Sequence, residues 1–344
     1  MKILVEVTHP AHVHFFRNAI AEFQKNGHEV AITARRKDVT IELLNNYKIP
    51  FTILSEQGKS KISLIKELFV RDFRLWKFCR KFKPDILTGI SAIFAAHTGF
   101  LIRKPVIVWD DTEVATPAHK ITYPFVTAVY SPQCYLKKMG KKHFFYAGCH
   151  ELAYLHPNRF TPDEQLVKSL GIDTKQKYCI IRFVSWQAHH DIGHHGLSNE
   201  EKTDLVSRIS KYARPYITSE KPLQGELEKF RLSIPVHQIH HVMAYAALCV
   251  TEGATMASES GILGVPTIYI NPLKAGTINE QSSYGLLTQI IDFEKIAEAS
   301  VAYLNDPKIK EITRANREKF ISDKIDVTAF IVETIEKTAQ SSKS

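Results

Sequence analysis

Thr251-Glu-Gly-Ala-Thr-Met-Ala-Ser-Glu-Ser-Gly-Ile-Leu-Gly-Val-Pro-Thr-Ile-Tyr-Ile270 decides the fold. Leu248–Val250 just before it and Thr267–Ile270 at its end are short β-rich runs, the pattern of strands buried in a parallel sheet. The residues between them read as a turn and a short helix. Gly253, Ala254 and Thr255, with Met256 in the same turn, leave the N–H groups of a helix N-terminus uncovered, a setting that attracts phosphate. Glu259 follows about one turn later, where a carboxylate can accept hydrogen bonds from two ribose hydroxyls. Gly264-Val-Pro266 ends the helix, because Gly suits the left-handed C-terminal position and Pro cannot continue it. An ordinary capped βαβ unit accounts for the same spacing without any ligand.

The same alternation runs through the whole chain. Ile3–Thr8, Val30–Ala34, Phe51–Leu54, Ile86–Gly89 and Val106–Trp109 are strand candidates. Helical periodicity fills Val13–Lys25, Val39–Asn46, Ile62–Phe82 and Ala92–Ile102 between them. Tyr154–Pro162 then breaks the pattern with two prolines and no periodicity, and we expect an interdomain linker there. Tyr178–Phe183 opens a second series, with Pro215–Thr218, Val236–Ile239, Leu248–Val250 and Thr267–Ile270 as strands. Ile309–Phe320 and Val327–Lys337 are its closing helices. The order predicts an α/β protein of two Rossmann-like domains facing across a cleft at their strand C-terminal ends.

A chain of 344 residues with 44% hydrophobic content is long enough for two full cores. Its first residues form a strand rather than a signal peptide, and no apolar run is long enough to span a bilayer. Five cysteines without CxxC spacing suggest neither a disulfide framework nor a zinc ribbon. These features point to a cytoplasmic protein. The net charge of +9 calls for an anionic partner, and much of the excess lies in Lys59–Lys83. Lysines and arginines there interleave with apolar side chains at helical spacing, so the segment is either a domain helix with solvated charges or a peripheral membrane contact. No nucleic-acid module signature appears, and a nucleic-acid partner is not expected.

Three polar constellations follow predicted strands, where open α/β sheets place ligands. In Thr8-His-Pro-Ala-His-Val-His14, one of His9, His12 or His14 is suited to general-base chemistry, to capping or to metal ligation. No GxGxxG accompanies them, which argues against hydride transfer. Asp110, Asp111 and Glu113 in Trp109-Asp-Asp-Thr-Glu113 are costly carboxylates unless solvated, paired or used, and Asp111 also suits a helix cap. Gln187-Ala-His-His-Asp-Ile-Gly-His-His-Gly-Leu-Ser198 carries His189, His190, Asp191 and His194, with Gly196 permitting close backbone approach. Ser198 and Glu201 form a capping box for the next helix. A metal site from His189, Asp191 and His194 is the rival reading. Arg182 offers a cation to a diphosphate or a partner to an acid, and Glu220 ends another strand.

Taken in order, THPAHVHFF, WDDTE, YAGxxELAYLHPxxFTP, HDxGHHGLS, TSE and TEGATMASESGILGVP resemble the domain-of-unknown-function family 354 across nearly the whole chain. That family is related to the GT-B superfamily of glycosyltransferases and UDP-N-acetylglucosamine 2-epimerases. The resemblance implies an acceptor domain over residues 1–155, a nucleotide-sugar donor domain over 163–325, and a C-terminal helix and tail over 326–344. It implies a UDP-type nucleotide sugar as co-substrate, with diphosphate at Gly253, Ala254, Thr255 and Met256 and ribose at Glu259. Arg182, His189, His190, Asp191, His194, Gly196, Ser198 and Glu220 complete the donor site in this reading. Asp110 and Glu113 face the acceptor, and His9, His12, His14 or Asp111 supplies the base. Where the peptidoglycan N-acetylglucosaminyltransferase has glycines in its first loop, this chain has His and Pro. The expected activity is metal-independent sugar transfer to a cell-envelope or polysaccharide acceptor, glycan or lipid-linked, without a bound cofactor. A nucleotide-sugar 2-epimerase or hydrolase on the same fold is the alternative, and a metal-dependent hydrolase using the histidine clusters is another.

Overall fold

A computed structural model describes residues 1–56, 61–113, 116–184 and 196–342. The chain forms two units, Met1–Arg159 with Ile325–Ser344, and Phe160–Lys324. The first unit is built on β1 (Lys2–Val7), β2 (Glu29–Arg36), β3 (Thr52–Glu56), β4 (Ile86–Ile90), β5 (Val106–Trp109), β6 (Ala128–Pro132) and β7 (His143–Tyr146). They make one parallel sheet in the order β3-β2-β1-β4-β5-β6-β7. Helices α1 (Pro10–Lys25), α2 (Thr40–Asn46), α3 (Lys61–Phe82), α4 (Ile93–Ile102), α5 (Thr116–Thr122) and α6 (Leu152–Leu155) connect or follow these strands.

β1 is buried along its length because Ile3, Leu4, Val5 and Val7 present apolar side chains to both faces of the sheet. Glu6 is buried among them and is matched from two sides. Arg71 of α3 donates to one carboxylate oxygen at 3.0 Å and the Ala95 N–H of α4 to the other at 2.8 Å. The Arg71 guanidinium in turn lies 4.3 Å over the Phe94 ring. Burial pushes the Glu6 carboxyl up, against the pull of Arg71. At Gly89 of β4 a Cβ would come within 2.9 Å of the Glu6 carbonyl oxygen, so the close approach of β4 to β1 requires glycine.

In the second unit α7 (Glu164–Ser169) precedes β8 (Tyr178–Phe183), α8 (Asn199–Ser210), β9 (Arg214–Ser219), α9 (Ile239–Tyr245) and β10 (Leu248–Thr251). Then come α10 (Ala254–Ile262), β11 (Thr267–Tyr269), α11 (Gly276–Ser283), β12 (Thr288–Gln289), α12 (Phe293–Asn305) and α13 (Ile309–Ser322). This sheet is also parallel, in the order β12-β11-β10-β8-β9. Two parallel sheets with helical crossovers are the α/β class expected from the sequence.

Several expectations are corrected. Val236–Ile239 is not a strand. Val236–Gln238 forms a helical turn closed by Gln238 N–H to the Pro235 carbonyl at 2.9 Å, and Ile239 begins α9. Ile239, Val242 and Met243 recur at helical spacing, which outweighs the short apparent alternation. The expected linker begins inside structure, since Tyr154 and Leu155 are buried in α6 and the first passage between units falls at Arg159 and Phe160. The helix expected over Val327–Lys337 is present as α14 (Val327–Ser341), and it packs on α1 within the first unit. Its Thr328 donates to the Ala153 carbonyl at 2.6 Å, and its Phe330 ring lies among those of Trp109, Tyr130 and Tyr146.

Candidate active site

Each sheet has one point where strand order reverses, and such points hold ligands beyond the strand C-termini. In the second unit it lies between β8 and β10. Gly253, directly after β10, is the residue before α10 and makes no side-chain cap; its own N–H goes to Thr251 Oγ1 at 3.0 Å. The first-turn N–H groups of Ala254, Thr255 and Met256 therefore head a helix whose positive dipole end has no side-chain cap among the described residues. Thr255 is exposed and Met256 half-buried. Glu259, on the second turn, is buried, and its Oε1 lies 2.9 Å from Nε2 of the buried His240 on α9. Gly264, at φ +75°, closes the helix as expected. Its N–H bonds the Gly261 carbonyl at 2.9 Å and Val265 N–H the Ser260 carbonyl at 3.1 Å.

Ser198 caps α8 in a full capping box: Glu201 N–H donates to Ser198 Oγ at 3.1 Å and Ser198 N–H to Glu201 Oε2 at 2.7 Å. Gly196 is half-buried beside it. Arg182 and Glu220 pair with each other at 2.9 Å across β8 and β9. Sequence reasoning passed over Glu252. Its buried carboxylate accepts from Val184 N–H at 2.7 Å and Leu197 N–H at 3.2 Å. His189, His190, Asp191 and His194 lie outside the described residues, and so does the metal site they could form. Among the described residues no three His, Cys, Asp or Glu side chains gather as metal ligands.

In the first unit the reversal lies between β1 and β4. His9 is the residue before α1, and its Nδ1 accepts from Ala11 N–H at 3.2 Å, so the capping role is realised. Nδ1 of His12 accepts from Thr8 N–H at 3.3 Å. His14 is buried one half-turn on, its Nδ1 3.2 Å from the Tyr47 hydroxyl and its ring stacked on Tyr154. With Nδ1 accepting from the Thr8 N–H, the neutral His12 ring carries its proton on Nε2. Burial, then the neighbouring His9 and His150 rings, hold His12 well below the usual histidine value.

Asp110 has no exposed surface. It accepts from Thr112 N–H at 2.8 Å and from the Tyr123 hydroxyl at 2.8 Å, and His119 Nε2 lies 2.9 Å away. Burial and then the Asp110 charge push the Tyr123 phenol up, so it stays a donor. Glu113 is also buried. Asp111 is half-buried, and its Oδ2 lies 3.0 Å from Nδ1 of His150, which follows β7. Burial opposes the Asp111 charge, but His150 and the Thr112 hydroxyl outweigh it and hold the carboxyl at about 2. Burial likewise opposes the His150 charge, and Asp111 overcomes it to raise the ring above its ordinary value. Nε2 of His150 is buried with no partner among the described residues. A carboxylate on Nδ1 leaves Nε2 as the working nitrogen, the arrangement of an oriented acid–base imidazole. His150 was missed because β7, whose end presents it, was not read from the sequence.

Two parallel-sheet units, each with one point of strand-order reversal, make the fold GT-B, and solved structures share it along nearly the whole chain. One is the UDP-GlcNAc 2-epimerase from Neisseria meningitidis bound to UDP-GlcNAc, at a TM-score of 0.74 and 15% identity over 98% of this chain and 100% of that one. Another is the glycosyltransferase VinC in complex with dTDP, at a TM-score of 0.65 and 11% identity over 100% of both chains. Residues 1–339 match the family described as protein of unknown function (DUF354), and the chain belongs to that family. It is also similar to the uncharacterized protein MJ0665 of Methanocaldococcus jannaschii, 23% identical over 287 residues, 79% of this chain and 82% of that protein.

Proposed function

We propose that this chain is a nucleotide-sugar enzyme, a glycosyltransferase that moves a sugar from a UDP-type donor to a glycan or lipid-linked acceptor of a cell-envelope or polysaccharide pathway. The observation that carries the reading is the α10 N-terminus, without a side-chain cap among the described residues, and Glu259 on its second turn, held by His240. Diphosphate at the N–H groups of Ala254, Thr255 and Met256, and ribose hydroxyls at Glu259, use that geometry directly. In the transfer, an acceptor hydroxyl oxygen bonds to the anomeric carbon while the bond from that carbon to the diphosphate breaks. The hydroxyl proton passes to a general base, the chemistry that an imidazole oriented by a carboxylate supplies. The diphosphate leaves with the electron pair, stabilised by the α10 N-terminus.

A 2-epimerase is the second reading, favoured by the likeness in fold to the UDP-GlcNAc 2-epimerase from Neisseria meningitidis. The test begins with thermal unfolding of wild type and Glu259→Ala with UDP and UDP-GlcNAc. Ligand at about a hundred times Kd stabilises by about 2.7 kcal/mol, and the variant should lose that gain while still unfolding cooperatively. If neither nucleotide stabilises wild type, the donor reading fails. Incubation with UDP-GlcNAc in D2O without acceptor then separates the two reactions: deuterium at C2 replaces the transferase by the epimerase.

A further inference from the structure

We infer that the exposed face formed by α3, α4 and α5 of the first unit docks onto an anionic phospholipid bilayer. On α3, Phe69 is 68% exposed and Phe73 follows it one turn later. On α4, Leu101 is 65% exposed beside the equally open Phe100, and Ile121 of α5 is exposed as well. One hydrogen-bonded group draws these side chains together. His97 of α4 places Nδ1 2.9 Å from Asp72 Oδ2 of α3 and Nε2 2.8 Å from the Ile121 carbonyl oxygen of α5. Phe69 stands three residues before Asp72 on the same side of α3, and Phe100 and Leu101 stand three and four residues beyond His97 on its side of α4. Exposed aromatic and aliphatic groups of this size, on three helices tied together, mark an interaction surface.

The charges identify the partner. Lys77 and Arg80 continue the Phe73 stripe, Arg103 and Lys104 follow α4, and Lys120 adjoins Ile121; all five are exposed. α4 and α5 contain no acidic residue, and Asp72 is engaged by His97. Arg80 also lies 5.7 Å over the Trp76 ring. Aromatic side chains rimmed by lysine and arginine fit the headgroup region of a negatively charged leaflet. A symmetric contact with a second copy would set these cations against themselves. The contact is peripheral, and no helix among the described residues is long and apolar enough to cross a membrane.

Co-sedimentation of the full chain with phosphatidylcholine vesicles, with and without phosphatidylglycerol, tests the inference. Wild type should bind the phosphatidylglycerol vesicles and release as salt rises. A Phe73→Ser, Leu101→Ser variant should bind about tenfold or more weakly, with its melting temperature unchanged because both side chains are exposed. Lys77→Glu, Arg80→Glu should lose the preference for anionic vesicles. The inference is overturned if wild type ignores phosphatidylglycerol, or if the Ser variant binds as wild type does. It is overturned too if light scattering finds a dimer that the Ser variant abolishes in the absence of vesicle binding.

Discussion

Replacing Asp111 by Asn keeps an oxygen for His150 Nδ1–H and removes only the charge. The drop of the Asp111 carboxyl from 3.8 to about 2 corresponds to about 2 kcal/mol of stabilisation when ionised. Its side chain is 32% exposed, so screening trims the expected loss to about 1–2 kcal/mol. The pH dependence has two limbs. A depressed carboxyl contributes fully above its unfolded value and loses that contribution as pH falls toward about 2. A raised histidine contributes fully below its ordinary 6.5 and loses it as pH climbs through the folded value. The Asn variant should therefore fall furthest behind wild type between about pH 4 and 6.5 and close the gap on either side. Urea unfolding across that range, with a double-mutant cycle against His150→Gln, measures it. A loss that stays flat with pH, or a coupling energy near zero, would refute the ion-pair reading.

Glu6→Gln leaves the Arg71 charge buried without its matching carboxylate and should cost about 3–5 kcal/mol, read by urea unfolding; Glu6→Leu with Arg71→Met should restore much of it. Gly264→Ala forces a Cβ into the φ +75° position and to 3.0 Å from Arg317 Cδ. It should lower stability by about 1 kcal/mol or more, visible as a reduced melting temperature with nucleotide binding retained.

Local signals were legible and long-range pairings were not. Val106–Trp109 and Tyr178–Phe183 appear as strands with the expected ends, because apolar and β-branched side chains dominate both, broken only by Arg182 near the end of the second. The Ser198 box and the Gly264 stop were readable because each depends on residues within one turn of a helix. β6 and β7 escaped because Ala128-Val-Tyr-Ser-Pro132 and His143-Phe-Phe-Tyr146 are short and hold polar or Pro positions, and β7 is the edge strand. Their loss hid His150. Asp111 was recognised as a carboxylate needing a partner, yet nothing in the sequence says which of 16 histidines provides it. Arg71 read as one more solvated charge of a basic helix, and only the burial of Glu6 in β1 explains its fully buried guanidinium.

The return of α14 to the first unit sets an order of assembly during synthesis. Phe330 completes the aromatic group of Trp109, Tyr130 and Tyr146, and the Val327 side chain lies where any Cβ on Gly148 would have to go. A ribosome delivers these pieces only after all of Phe160–Lys324 has been made. The first unit therefore waits, with Trp109 incompletely covered, for α14 to emerge. A stalled or prematurely terminated chain would show its defect in the part made first.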